Sequence, residues 1–134
     1  MTLQTSVRQG CLVVKMPPEV SVGNAEELRR ELRELCRTRL DRSSRDRVSA
    51  VVVDWADVPF LTLTGVAVLE DFRERAVERG VPIRLVASRR VPRAVLRIAG
   101  LDGVLAIHDT VEQALAGGRA SGEGRGRPEI GKTS

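Results

Sequence analysis

Residues 49–54 read SAVVVD, and this short run limits the fold more than any other stretch of the chain. Val51, Val52 and Val53 are consecutive and β-branched, so a strand built from them presents apolar side chains to both faces. Such a strand belongs at the centre of a sheet covered on both sides. The next periodic segment is of a different kind. Val66, Leu69, Phe72 and Ala76 recur at helical spacing, and Gly80 follows as a helix-terminating residue. PIRLVA, 82–87, then reads as another strand. Strand, helix and strand in this order predict a parallel pair joined by a right-handed crossover.

The remaining segments extend the pattern. TLQTSVR and CLVVKM flank Gln9–Gly10 and read as a hairpin whose second strand is the more buried. PPEVSVG interrupts regular structure. Asn24 is the expected N-cap of a first helix, with Glu27 completing a capping-box pattern. That helix runs from Ala25 to about Arg39, with Ala25, Leu28, Leu32, Leu35 and Cys36 inward. RRVPRAVLRIAG predicts a short helix with Val91, Ala94, Val95 and Ile98 inward, Pro92 in its first turn and Gly100 as its stop. VLAI is a last strand, and Thr110 with Gln113 caps a final helix. The order β β α β α β α β α predicts an α/β fold. Its sheet is mixed but mostly parallel, with an N-terminal hairpin and about four covering helices.

The 134 residues fit one domain, expected over 1–116. From Gly117 onward the chain is rich in Gly and Arg and nearly without hydrophobes, so 117–134 is expected to be a disordered tail. That tail holds Arg119, Arg125, Arg127 and Lys132 against Glu123 and Glu129. It therefore carries half of the net charge of +4, and the rest of the chain is close to balanced. With only Phe60, Phe72 and Trp55 as aromatics, stacking of single-stranded nucleic acid has little to work with, and no nucleic-acid partner is expected. No stretch approaches the length of a membrane span and no signal-peptide pattern opens the chain, so a cytoplasmic protein without membrane insertion is expected. Cys11 and Cys36 lack metal-site spacing and read as buried reduced thiols.

Enzyme chemistry is not legible. His108 is the only histidine and stands without a nearby nucleophile, which fits a surface or capping role. No phosphate-binding glycine loop is present. Asp54 and Asp57 leave the central strand where ligands gather in parallel sheets. Their plainer reading is that Asp54 ends the strand and Asp57 makes a turn with Pro59. No metal, cofactor or enzymatic activity is expected.

The phrase VVVDWADVPFLTLTGVAVLEDF, together with VVKMPPEVSVGNAEEL before it and RRVPRAVLRIAGLDGVLAIHDTVEQAL after it, resembles the STAS domain family over about Leu3 to Leu115. The resemblance is to the anti-sigma factor antagonist type. It implies a regulatory module that binds an anti-sigma factor with a serine-kinase, ATPase-like fold, or a related signalling protein. It also implies a switch: phosphorylation of a hydroxyl residue in an Asp-Ser-Ser/Thr-Gly motif ends the complex. Laid on FLTLTG, the Asp falls on Thr62, the acceptor on Leu63, the second hydroxyl on Thr64 and the Gly on Gly65. An upstream family Asp falls on Ser21. Leucine has no oxygen to accept a phosphoryl group, so the usual switch is expected to be lost or moved to Thr64 or Thr62.

Thr64 is the expected N-cap of the second helix, and Gly65 suits close packing. The resemblance places partner contact at Leu61, Thr62, Leu63, Thr64, Gly65 and Val66, with Leu63 exposed or half-exposed. Arg90 and Arg93 are added as part of an arginine-rich rim that also holds Arg89 and Arg97. The alternative is an accessory subunit of an ABC-type lipid-transport or signalling complex, which some small STAS proteins form.

Overall fold

The structure is a computed structural model that describes residues 3–59 and 61–117. The residues expected to form the tail lie outside this range from Gly118 onward, as does Phe60. Five strands form one sheet: β1 (Gln4–Arg8), β2 (Cys11–Lys15), β3 (Ala50–Asp54), β4 (Ile83–Val86) and β5 (Ala106–His108). Their spatial order follows the sequence. β1 pairs antiparallel with β2, and the three other pairings are parallel. The helices are α1 (Val22–Leu35), α2 (Leu63–Glu78), α3 (Arg90–Ile98) and α4 (Val111–Gly117). The expected mixed α/β architecture is therefore what the chain adopts.

The all-valine strand sits where its composition demands. Val51 and Val53 enter the larger core with Leu28, Leu32, Leu69 and Phe72, while Val52 faces a smaller cluster with Ala114 and Leu115 of α4. One face of β3 thus packs on the α1–α2 side and the other on α4. The β1–β2 turn places Gln9 and Gly10 both at positive φ, 55° and 79°. That is the backbone twist a two-residue hairpin between right-twisted strands requires.

Three local expectations are corrected. α1 begins at Val22, with Ser21 as its N-cap, and Asn24 is its third residue. Asn24 Oδ1 accepts the Ser21 N–H at 2.9 Å, so its side chain works as the reciprocal partner in the cap rather than as the cap itself. At its far end α1 loosens into a π-helical turn over Cys36–Leu40, which turns Cys36 and Leu40 into the core.

α3 is rotated relative to its expected face. Pro92 and Leu96 are the buried residues, while Val91 and Ile98 are 52% and 84% exposed. Both stripes have helical spacing, so periodicity could not choose between them. The packing places Pro92 inward, and Val95 is only partly buried against the core.

His108 is buried rather than superficial. It pairs in register with Val86 at the end of β5, on the sheet face covered by α4. Strand alternation places Ala106 and His108 on that face, and both are buried.

Candidate functional site

β2, β3 and β4 are parallel and each is followed by a helix, so the first turns of α1, α2 and α3 all lie beyond the carboxyl end of the sheet. Parallel α/β sheets place their binding surfaces at this edge. The junction at 61–66 is at its centre, because α2 follows the central strand.

Thr62 organises the junction. It, rather than Thr64, is the N-cap of α2: its extended backbone ends at φ −84°, ψ 162°, and its Oγ1 accepts the Gly65 N–H at 2.9 Å. The same hydroxyl donates to the carbonyl of Val20 at 2.6 Å. Ser21, one residue further on, caps α1. The two positions where the family resemblance expects aspartate, Ser21 and Thr62, are therefore both helix caps here, filled by neutral hydroxyl residues. Gly65 packs closely enough that a Cβ would stand 3.0 Å from Leu61 Cδ1 and 3.5 Å from Val20 Cβ. The absence of a side chain lets the first turn of α2 approach the segment before α1.

This packing divides the junction into an inside and an outside. Leu61, Gly65 and Val66 are buried and shape the surface from beneath. Thr62 and Thr64 are half-buried, and Leu63 is 83% exposed at the first position of α2. Across from it Val22 is 86% exposed at the first position of α1. Between them runs an open groove of about 460 Å³, lined by Val22, Ala25, Glu26, Arg29, Leu63, Thr64 and Ala67. The sequence reading did not include Val22, Glu26 or Arg29. The Ser21-x-x-Asn24 spacing would have revealed the earlier helix start and put Val22 on this edge.

The arginines of α3 do not act as a set. Arg93 is half-buried and tied to the fold, with Nε donating to the Ala87 carbonyl at 2.5 Å and a terminal nitrogen donating to Asp109 Oδ1 at 2.6 Å. Arg89, Arg90 and Arg97 are exposed, and no carboxylate of the described residues forms an ion pair with them. Asp54 ends β3 by accepting the Ala56 N–H at 3.0 Å, and Asp57 pairs with Lys15 at 3.7 Å. These carboxylates flank a small cleft of about 240 Å³ with Met16, Pro18, Trp55 and Val58. Among the described residues no group of His, Cys, Asp and Glu is placed to hold a metal ion. Among the described residues no helix is long and apolar enough to cross a membrane.

The model of the STAS domain matches residues 2–114. The chain belongs to the STAS domain family. This STAS domain is 36% identical over 66 residues to the anti-sigma-F factor antagonist RsfA from two strains of Mycobacterium tuberculosis. The match covers 49% of this chain and 52% of RsfA, so the chain spans about half the length of the curated relatives it matches. An anti-sigma factor antagonist from Mycobacterium paratuberculosis has the same fold, with a TM-score of 0.72 at 22% identity over 87% of this chain and 92% of that one. An anti-sigma-factor antagonist STAS domain protein from Planctomyces limnophilus superposes with a TM-score of 0.71 at 16% identity, covering 86% and 96% of the two chains.

Within this STAS domain, Leu63 stands at the position the motif resemblance gives to the phosphoacceptor. Its apolar side chain projects into solvent at the head of α2. The Thr62 hydroxyl is engaged both as donor and as acceptor. Thr64 lines the groove and is half-buried, and it makes no hydrogen bond through its hydroxyl to the described residues.

Proposed function

We propose that this STAS domain is a protein-binding antagonist that engages an anti-sigma factor through the carboxyl edge of its sheet. The observation that carries this reading is the pair of exposed apolar residues, Leu63 and Val22, on either side of the groove between α1 and α2. An exposed leucine at a helix start gains nothing for the isolated fold. Covered by a partner, its burial is worth roughly 1.5–3 kcal/mol. The relative RsfA, which is called an anti-sigma-F factor antagonist, supports the same reading.

The phosphate switch is absent from the usual position in this reading. Leu63 cannot be phosphorylated, and Thr62 already spends its hydroxyl on Val20 and Gly65. Thr64 is the remaining candidate acceptor. A phosphate there would bring close to two negative charges into the groove.

Titration of the isolated anti-sigma partner against wild type, Leu63→Ser and Leu63→Asp tests the reading, with circular dichroism confirming the fold. Leu63→Asp is expected to weaken binding by about 2 kcal/mol or more, because it buries an unpaired charge. Leu63→Ser is expected to cost less. Equal binding by all three overturns the assignment of the interface. After incubation with the partner and ATP, intact mass is expected to show an unmodified chain. Stoichiometric phosphate contradicts the lost switch, and peptide mapping would show whether Thr64 or Thr62 had taken it.

A further inference from the structure

The outer face of α3 carries features that the groove between α1 and α2 does not use. Val91, Ala94 and Ile98 recur at i, i+3 and i+7 and so share one side of the helix, with Val95 at its margin. Val91 and Ile98 are 52% and 84% exposed. The ridge from Val91 to Ile98 is about 10 Å long, close to two helical turns. Arg90 and Arg97, also seven residues apart, run along one flank, and Arg89 stands at the head of the helix. α3 contains no acidic residue. Asp102 shares a small cleft with Arg93 and Arg97, but no ion pair forms there. The one arginine of the helix with an internal duty, Arg93, is bound to Asp109 and the Ala87 carbonyl. This separates a structural arginine from exposed ones.

We infer that the outer face of α3 is a second docking surface, which takes an acidic amphipathic helix of a partner protein. The apolar side of that helix would lie on Val91, Ala94 and Ile98, and its carboxylates would meet Arg90 and Arg97. Charge complementarity selects this occupant, because a cationic flank with no neutralising acid on its own helix favours an anionic counterpart and accelerates its arrival. A lipid surface fits less well. The ridge is narrow and made of Val, Ala and Ile, without the Trp, Phe or Leu of interfacial helices, and its arginines stand on one side only. None of these residues lines the groove, so the surface is tested independently of the reading of Leu63.

The test uses the full chain, labelled with nitrogen-15, and a synthetic peptide about four turns long, with leucines along one stripe and glutamates beside it. A lysine-for-glutamate version serves as control. The acidic peptide is expected to shift amide signals of 90–98 and to leave those of Val22 and Leu63 in place. Arg90→Glu with Arg97→Glu, and separately Ile98→Glu, are each expected to weaken binding at least about tenfold. Leu63→Asp is expected to leave it unchanged. The inference is overturned if the shifts map elsewhere, if the α3 variants bind as wild type, or if the lysine peptide binds as well. Co-flotation of the protein with phosphatidylglycerol vesicles that depends on Ile98 assigns the face to lipid instead, and concentration-dependent shifts of the same amides without peptide assign it to a second copy.

Discussion

The Thr62 hydroxyl donates to the Val20 carbonyl across 42 positions of sequence, and in doing so joins the entry to α1 with the entry to α2. One oxygen thereby fixes the relative placement of two helix starts, and with them the separation of Val22 and Leu63.

Thr62→Val removes both hydrogen bonds of that oxygen while keeping the side-chain volume. Loss of an N-cap alone costs roughly 0.5–2 kcal/mol, and the second bond adds about 1 kcal/mol. The expected result is a domain destabilised by about 2 kcal/mol in urea unfolding. Thr62→Ser is expected to retain most of the stability. A Val variant as stable as wild type would show that the bridge is ornamental.

Arg93 and Arg90 are expected to separate cleanly by stability. Arg93→Ala breaks the bonds to Ala87 and Asp109 and is expected to cost about 1–2 kcal/mol. Arg90→Ala, at an exposed position without a partner among the described residues, is expected to stay within about 0.5 kcal/mol of wild type. Thermal melts of the two variants side by side decide the point.

Burial pushes the Cys36 thiol above its ordinary pKa, against the smaller opposing influence of Arg79 and Arg75. The sign follows from linkage. The unfolded chain ionises first, so this contribution is fully present below the free-thiol pKa of about 8.5 and is lost as pH rises from there through the folded value. Cys36→Ala is therefore expected to flatten the stability profile on the alkaline side, although the cavity lowers it overall. An alkaline limb identical to wild type would exclude the thiol as its source.

Cys11 and Cys36 belong to the clusters on opposite faces of the sheet. An internal disulfide between them is not expected to form without unfolding, because the strands stand between the thiols. Treated with a disulfide oxidant, which takes up two electrons and two protons per bond formed, the folded protein should keep its mass, and the loss of two hydrogen atoms should appear only after denaturation. Formation of the internal bond in the folded state, seen by mapping, contradicts the placement.

The sequence made the order of elements and the crossovers legible because they rest on runs such as Val51–Val53 and on stripes such as Val66, Leu69, Phe72 and Ala76, whose spacing admits one reading. α3 was misread because its candidate faces, one through Val91 and Ile98 and the other through Pro92 and Leu96, have the same period. Only the surface it packs against chooses between them. The caps failed for a related reason. Ser21 and Asn24 both favour cap positions, as do Thr62 and Thr64, and the chain settles each pair through contacts such as the Val20 carbonyl that local sequence does not display. His108 went inward because strand alternation outranks the polarity of one side chain. Of the candidate site, Leu63 was legible as an exposed apolar residue, while the opposing wall from α1 needed the tertiary structure.

All five side chains of β1 are exposed, although its neighbour β2 is buried from Cys11 to Val14. The strand is held by its backbone ladder, by the turn at Gln9–Gly10 and by Leu3, whose N–H donates to Glu31. Its side-chain identities are consequently almost free to drift, while its conformation is not. The opening of this chain is a place where descendants can diverge widely in letters, or an engineer can write a new epitope, with the shape of the molecule left as it is.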